Sequence, residues 1–280
     1  MPGWLQALLL GVVQGLTEFL PVSSSGHLVL SQLLLGDEFM FASEAVAFDL
    51  VLHVGTLLPV LYFYRQDLLR IVQGTFRESP IGYEGGIMGW LKGDTHRWLA
   101  LCVIAATLPT GLMGVGLKDV FESLFHDARA VCGALFFTGC LLFSTRFFAK
   151  GEGQRRNLTL GIALLIGLAQ GFAITPGISR SGTTIAVALL LGLERDLAAR
   201  FSFLLSIPAI LGAVVLVLKD GVTLQGESMV ALGVGFVASM LVGYAALWML
   251  VALVKRGGIH KFAYYLWPVS VIGFIAFSAH

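Results

Sequence analysis

Gln14-Gly-Leu-Thr-Glu18-Phe-Leu-Pro21-Val-Ser-Ser24-Ser-Gly-His27 is the stretch on which the reading of this chain turns. It lies inside an apolar run, yet its fourteen positions hold a carboxylate, three consecutive serines and an imidazole. In hydrocarbon each of those groups costs free energy unless it finds a partner. A Pro/Gly/Ser break also interrupts the run. Broken backbone at membrane depth is tolerated only when it is buried in protein or lines a wet cavity. A second stretch has the same character: Gln170-Gly171, then Pro176-Gly-Ile-Ser179-Arg180-Ser181-Gly182-Thr183-Thr184.

The surrounding chain supplies the membrane context. Of its 280 residues 57% are hydrophobic and only 12% charged, with a mean hydropathy of +0.86. Soluble domains are roughly 25% charged, so the composition indicates an all-α polytopic membrane protein. A net charge of +1 offers no basic surface for nucleic acid, and none is expected as a partner. Cys102, Cys132 and Cys140 sit in apolar runs without metal-ligand spacing and read as buried small hydrophobes. Met1 to Leu20 lacks a basic start and a small-residue cleavage site, so it reads as part of the fold.

Apolar runs at 47–64, 98–117, 130–149, 201–218, 229–254 and 262–278 are each near the ~20 residues a helical span needs. The runs 27–35 and 183–192 are too short to cross, and each follows a longer run after a Pro/Gly/Ser break. The expectation is two re-entrant hairpins, 4–35 and 158–192, and six crossings. The ionisable residues inside apolar runs are Glu18, His27, Asp49, His53 and Arg180. Asp49, near the start of its run, reads equally well as an interfacial acid. Placing 65–97, 146–156, 194–200 and 255–261 in the cytoplasm puts 14 basic residues inside and three outside. Both termini and the first hairpin then open outward, and the second hairpin opens to the cytoplasm.

A shift of 156 residues without a gap aligns Leu8–Gly36 with Leu164–Gly192, with 12 identities in 29 positions. The matches include Gly11/Gly167, Gln14/Gln170, Gly15/Gly171, Ser23/Ser179, Ser25/Ser181 and Gly26/Gly182. The repeat unit, 1–157 and then 158–280, is one hairpin plus three crossings. An odd number of crossings inverts the second copy, as in transporter folds, and should bring both hairpin tips to the midplane.

Ser23-Ser24-Ser25-Gly26 and Ser179-Arg180-Ser181-Gly182 each lead into an apolar helix. A helix N-terminus offers free N–H groups and a positive dipole end to phosphate. Serine hydroxyls add donors, glycine permits close approach, and the Arg180 fork matches phosphate oxygens. His27 lies three residues after Ser24, and Glu18 shares a helical face with Gln14. Serine, imidazole, carboxylate and arginine together suit phosphoryl transfer to a side-chain nucleophile followed by hydrolysis. Spacing alone leaves Ser24 and His27 both open as that nucleophile.

The motifs Gln14-x-x-x-Glu18, Pro21-Val-Ser23-Ser24-Ser25-Gly26-His27 and Pro176-Gly177-Ile178-Ser179-Arg180-Ser181-Gly182 closely resemble those of the undecaprenyl-pyrophosphate phosphatase family, also called the bacitracin-resistance protein family. The resemblance implies removal of the terminal phosphate of undecaprenyl pyrophosphate, giving the monophosphate carrier of cell-wall synthesis. It implies Ser24, His27, Glu18 and Arg180 as the catalytic group, with Ser24 the nucleophile. Around them Gln14, Ser23, Ser25, Gly26, Ser179, Ser181, Gly182 and Thr183 would bind the substrate. It further implies a divalent cation (Mg or Ca) with Glu18 as its carboxylate, a bacterial inner membrane, a polyprenyl pyrophosphate substrate among membrane lipids, and a possible homodimer. Many members carry glutamate where Gln14 stands, which leaves Glu18 as the main carboxylate. The competing class is a secondary transporter or flippase of a lipid phosphate or other anion, which needs the anion site but no nucleophile.

Overall fold

A computed structural model of the chain describes residues 3–35, 42–77, 83–125, 127–148, 157–219 and 229–278. Its elements are helical throughout. The first hairpin is α1 (Gly3–Phe19) and α2 (Ser24–Leu35), followed by α3 (Ala42–Phe63). Then come α4 (Arg65–Arg77), α5 (Gly86–Lys92), α6 (Thr95–Gly116), α7 (Lys118–Phe125) and α8 (Ala128–Phe148). The second hairpin is α9 (Leu160–Phe172) and α10 (Arg180–Leu190), followed by α11 (Arg195–Lys219), α12 (Met229–Lys255) and α13 (Ala263–Ser278).

Among the described residues five helical segments are long and apolar enough to cross a membrane: Thr95–Gly116, Ala128–Phe147, Arg195–Lys219, Met229–Lys255 and Ile259–Ser278. The sixth expected crossing is α3, 22 residues long, of which the described apolar part is Phe48–Phe63. Both hairpins form where the Pro/Gly/Ser breaks fall, and their arms are too short to span. Two segments read only as connections hold helices of their own, α4 and α5 within 65–97 and α7 within 118–129. α4 and α7 are amphipathic and α5 is only seven residues long, so a search for long apolar runs passes over them. Much of the connections 36–46, 146–156 and 219–228 lies outside the described residues. Cys102 and Cys132 are buried, whereas Cys140 faces outward from α8.

Hairpin arms pack on helices of the opposite half. The α1 arm lies along α12, and α9 lies along α6. The repeated glycines make this possible. A Cβ on Gly11 would stand 2.6 Å from the Gly235 carbonyl oxygen, and one on Gly15 2.8 Å from the Ser239 carbonyl oxygen, both on α12. A Cβ on Gly167 would collide with the Ala106 carbonyl, and one on Gly171 with the Met113 sulfur, both on α6. Small residues one turn apart let backbones approach where hydrocarbon provides no hydrophobic drive. Thr110 of α6 seals the second contact by donating to the Gly167 carbonyl at 2.8 Å.

The hairpin tips also touch reciprocally. A Cβ on Gly26 would lie 3.0 Å from Gly177 Cα, and a Cβ on Gly182 3.0 Å from Pro21 Cβ. Residues 21 and 177 are themselves partners under the 156-residue shift, so each tip seats its glycine on the other's turn.

Two outcomes follow from this packing. Gly167→Leu should abolish recovery of monodisperse protein in detergent. Gly133→Ala, where the added methyl meets nothing within 4 Å, should leave melting unchanged or raise it slightly. At the start of α6 the Asp94 carboxylate accepts from the backbone N–H of Arg97 at 3.0 Å and of His96 at 2.7 Å. The Arg97 N–H above all holds that carboxyl below its usual range. The cap is therefore present above the unfolded value of about pH 3.9 and lost as pH falls through the lowered native value. Asp94→Ala should cost about 1 kcal/mol, read by thermal unfolding at neutral pH.

Candidate active site

The first tip rests on Ser23, a non-glycine residue at φ 72°. That left-handed conformation is costly for a residue with a Cβ, and here three hydrogen bonds fix it. Ser23 Oγ accepts from Gly26 N–H at 3.3 Å, and the Ser23 carbonyl accepts from His27 N–H at 3.2 Å. His27 Nδ1 lies 2.8 Å from the same carbonyl, so Nδ1 carries the hydrogen. At the second tip Ser179 caps α10 by accepting from Gly182 N–H at 3.1 Å. Each tip also pairs its flanking serines at 3.3 Å, Ser23 with Ser25 and Ser179 with Ser181.

Glu18 stands between the tips with a side chain only 4% exposed. Its Oε2 accepts from Ser24 Oγ at 2.7 Å and from Gln14 Nε2 at 3.1 Å. His53 Nε2 is 3.6 Å from the same oxygen. Its Oε1 is ion-paired to the Arg180 guanidinium. Four helices thus supply one cluster: α1 the carboxylate, α2 the hydroxyl, α3 an imidazole and α10 the guanidinium. Beside it, Gln32 Nε2 donates to Asp49 Oδ1 at 3.2 Å, and His53 Nδ1 lies 2.7 Å from the Asp49 carbonyl.

A cavity of about 920 Å³ opens on this cluster. Glu18, Ser23, Ser24, Ser25, Ser179 and Arg180 line it, as does Glu122. Asp49, His53, Gln32, Thr110 and Gln170 extend that polar surface. Apolar side chains also line it, among them Leu28, Leu33, Leu50, Ile210, Ala213 and Val217. The space therefore suits an amphiphile with an anionic head.

Of the catalytic group expected from the sequence, Glu18, Ser24 and Arg180 come together. His27 does not join them. It is absent from the cavity lining, and its Nε2 meets the Tyr265 hydroxyl of α13 at 2.9 Å, with the rings stacked 5.7 Å apart. Its ring turns instead to the Ser23 carbonyl and to Tyr265, where it clamps the Ser23 turn. Gln14 supports Glu18 from behind, while Gly26 and Gly182 form the contact between tips. Ser181 and Thr183 are buried in α10. His53 and Asp49 are the site residues that sequence reasoning left aside. Their i,i+4 spacing within an apolar run was the available signal. Gln32, Thr110 and Tyr265 carried none.

A family model described as Bacitracin resistance protein BacA matches residues 7–272. This chain belongs to that family. The match takes in both hairpins and every residue of the cluster. The chain is 43% identical to an undecaprenyl-diphosphatase of Methanobrevibacter smithii, an alignment covering 99% of this chain and 98% of that protein. It is 42% identical to an undecaprenyl-diphosphatase of Desulfatibacillum aliphaticivorans, with 98% of each covered. A third such protein, from Rubrobacter xylanophilus, is 42% identical with 96% of each covered.

The buried ion pair makes a prediction of its own. Removing one partner leaves the other's charge stranded, a loss of about 3–5 kcal/mol for a well-buried pair and less here, where Arg180 keeps a 20% exposed side chain. Glu18→Ala should lower the melting temperature clearly, and adding Arg180→Ala should restore part of the loss. A double variant that melts lower than Glu18→Ala alone would show that the pair is not coupled.

Proposed function

We propose that this chain hydrolyses undecaprenyl pyrophosphate to undecaprenyl phosphate and inorganic phosphate at the cavity between the hairpin tips. The observation that carries the reading is the Ser24 hydroxyl donating to Glu18 at 2.7 Å beside Arg180, in a cavity lined by both polar and apolar side chains. The names of the family's relatives support the substrate. The apolar side chains would take the start of the prenyl chain and the polar ones the pyrophosphate.

Ser24 Oγ attacks the terminal phosphorus as its proton passes to Glu18. The anhydride bond breaks and the electrons leave with the lipid monophosphate. Phosphoserine remains. Glu18 hands the serine proton to the departing lipid phosphate and is again a carboxylate; water then attacks the phosphoserine, its proton passing to Glu18 and from Glu18 to Ser24 Oγ as inorganic phosphate departs. Arg180 exchanges the Glu18 carboxylate for the phosphate oxygens, where its fork meets the charge that grows in the transition state. N–H groups at the starts of α2 and α10 add to that stabilisation. His27, tied to the Ser23 carbonyl and Tyr265, holds the turn that aims Ser24, which favours Ser24 over His27 as nucleophile.

Among the described residues no three His, Cys, Asp or Glu side chains converge as a metal cage. A divalent cation fits only if Glu18 shares it with the substrate's phosphates, as small divalent ions commonly bind, and when bound it would neutralise phosphate charge. The basic-residue bias supports a site that opens toward the outer face of the inner membrane. A transporter reading would use the same paired tips but leaves the Ser24–Glu18 contact without work.

Phosphate release from a polyprenyl pyrophosphate by purified protein tests the reading. Ser24→Ala should abolish release while substrate still binds. Arg180→Lys, which keeps charge but loses the fork, should lower turnover by about 100-fold or more. An acid-labile, base-stable phosphoenzyme would move the nucleophile to a histidine.

A further inference from the structure

We propose that α4 is an interfacial helix that binds anionic phospholipid of the surrounding bilayer, with an acyl chain in the groove beside it. The helix has three distinct faces. Its inner edge packs on protein: Asp67 is ion-paired to Arg200 of α11, and Gly74 lies against Asp94 and Arg97. A second edge, Gln66, Arg70 and Gln73, is exposed and polar. The third carries Leu69, Val72 and Phe76 at helical spacing, all exposed, with Phe76 84% so.

Next to that third face lies a groove of about 350 Å³ between α4, α6 and α11. Leu68 and Ile71 line it from α4, Val103 and Leu108 from α6, and Leu204 and Pro208 from α11. Its lining is almost purely apolar, and the Thr107 hydroxyl there is spent on the Val103 carbonyl at 2.8 Å. Both α6 and α11 are candidate membrane spans, so what fills the groove comes from hydrocarbon. Charge decides which amphiphile. Asp67, the only acid of α4, is neutralised on the protein side. Arg65 and Arg70 remain exposed, and Arg65 is held at the head of the apolar stripe by the Tyr62 carbonyl at 2.9 Å and the Tyr62 ring at 4.4 Å. An apolar trough beside a helix that exposes two arginines fits an acyl chain joined to an anionic headgroup.

The test uses the full chain in phosphatidylcholine nanodiscs, with spin-labelled phosphatidylglycerol and phosphatidylcholine as probes. The wild type should immobilise phosphatidylglycerol preferentially, by about fivefold for each engaged arginine, and raised ionic strength should weaken that preference. Arg65→Gln with Arg70→Gln should remove the preference while thermal unfolding is unchanged. Ala100→Trp, which fills the groove without altering charge, should reduce immobilisation of both lipids. Equal, salt-independent retention of the two lipids by the wild type would overturn the proposal. So would efficient cross-linking of two copies through Val72→Cys, since a protein partner would then cover the face. None of these readouts depends on phosphatase activity.

Discussion

A carboxylate buried between helix tips must be neutralised, and Glu18 finds its cation on the far half of the chain. Arg180 lies 162 residues away in sequence and on the other hairpin. The pair can form only if both tips arrive together, which requires α1 to sit closely on α12 and α9 on α6. The glycines at 11, 15, 167 and 171 set those distances, and the Gly26–Gly177 and Gly182–Pro21 contacts lock the tips. Much of the architecture can thus be traced from one unfavourable charge. Packing of the hairpin arms is the condition for the ion pair, and the ion pair holds the site together in the absence of substrate.

The two halves share a frame and divide the chemistry. Among the positions that match under the 156-residue shift, the arm glycines, the flanking serines and the tip glycine do the same work twice. They cap helices, pair hydroxyls and permit close approach. Positions that differ are the reactive ones: Glu18 faces Ile174 in the alignment, Ser24 faces Arg180, and His27 faces Thr183. Neither half could run the proposed reaction alone, because one has the nucleophile and carboxylate and the other the guanidinium. The matched turns have the same form, and the cluster draws its carboxylate and hydroxyl from one and its guanidinium from the other.

This division accounts for what could be read in the sequence. Hairpins, crossings and the Glu18–Ser24–Arg180 cluster were legible because a break or a charge within an apolar run is costly unless a site uses it. The contacts of α1 with α12 and of α9 with α6 were not, since glycine spacing marks a close approach without naming the partner. His53 was visible as an ionisable residue but not as a neighbour of Glu18, because its distance depends on how α3 packs on α1. Amphipathic α4 was lost among connections, since its apolar stripe is too short to register as a span.

His27 is the sharpest case of spacing misleading. Three residues after Ser24 at the start of a helix, it should share a face with the nucleophile. The turn ahead of it changes that expectation. Ser23 sits at φ 72°, whereas its counterpart Ser179 caps α10 at φ −71°. A left-handed residue of this kind costs about 1–3 kcal/mol and persists only where its surroundings over-determine it. The imidazole contributes by binding the Ser23 carbonyl through Nδ1, while Tyr265 from the last helix fixes Nε2. Because the second tip is free of that strain, it has no need of a clamp, and Thr183 occupies the matching position. The histidine is therefore tied to the strained tip, the one that presents Ser24 to the cavity. Its hydrogen bonds run to the backbone of the turn and to Tyr265, not to the serine.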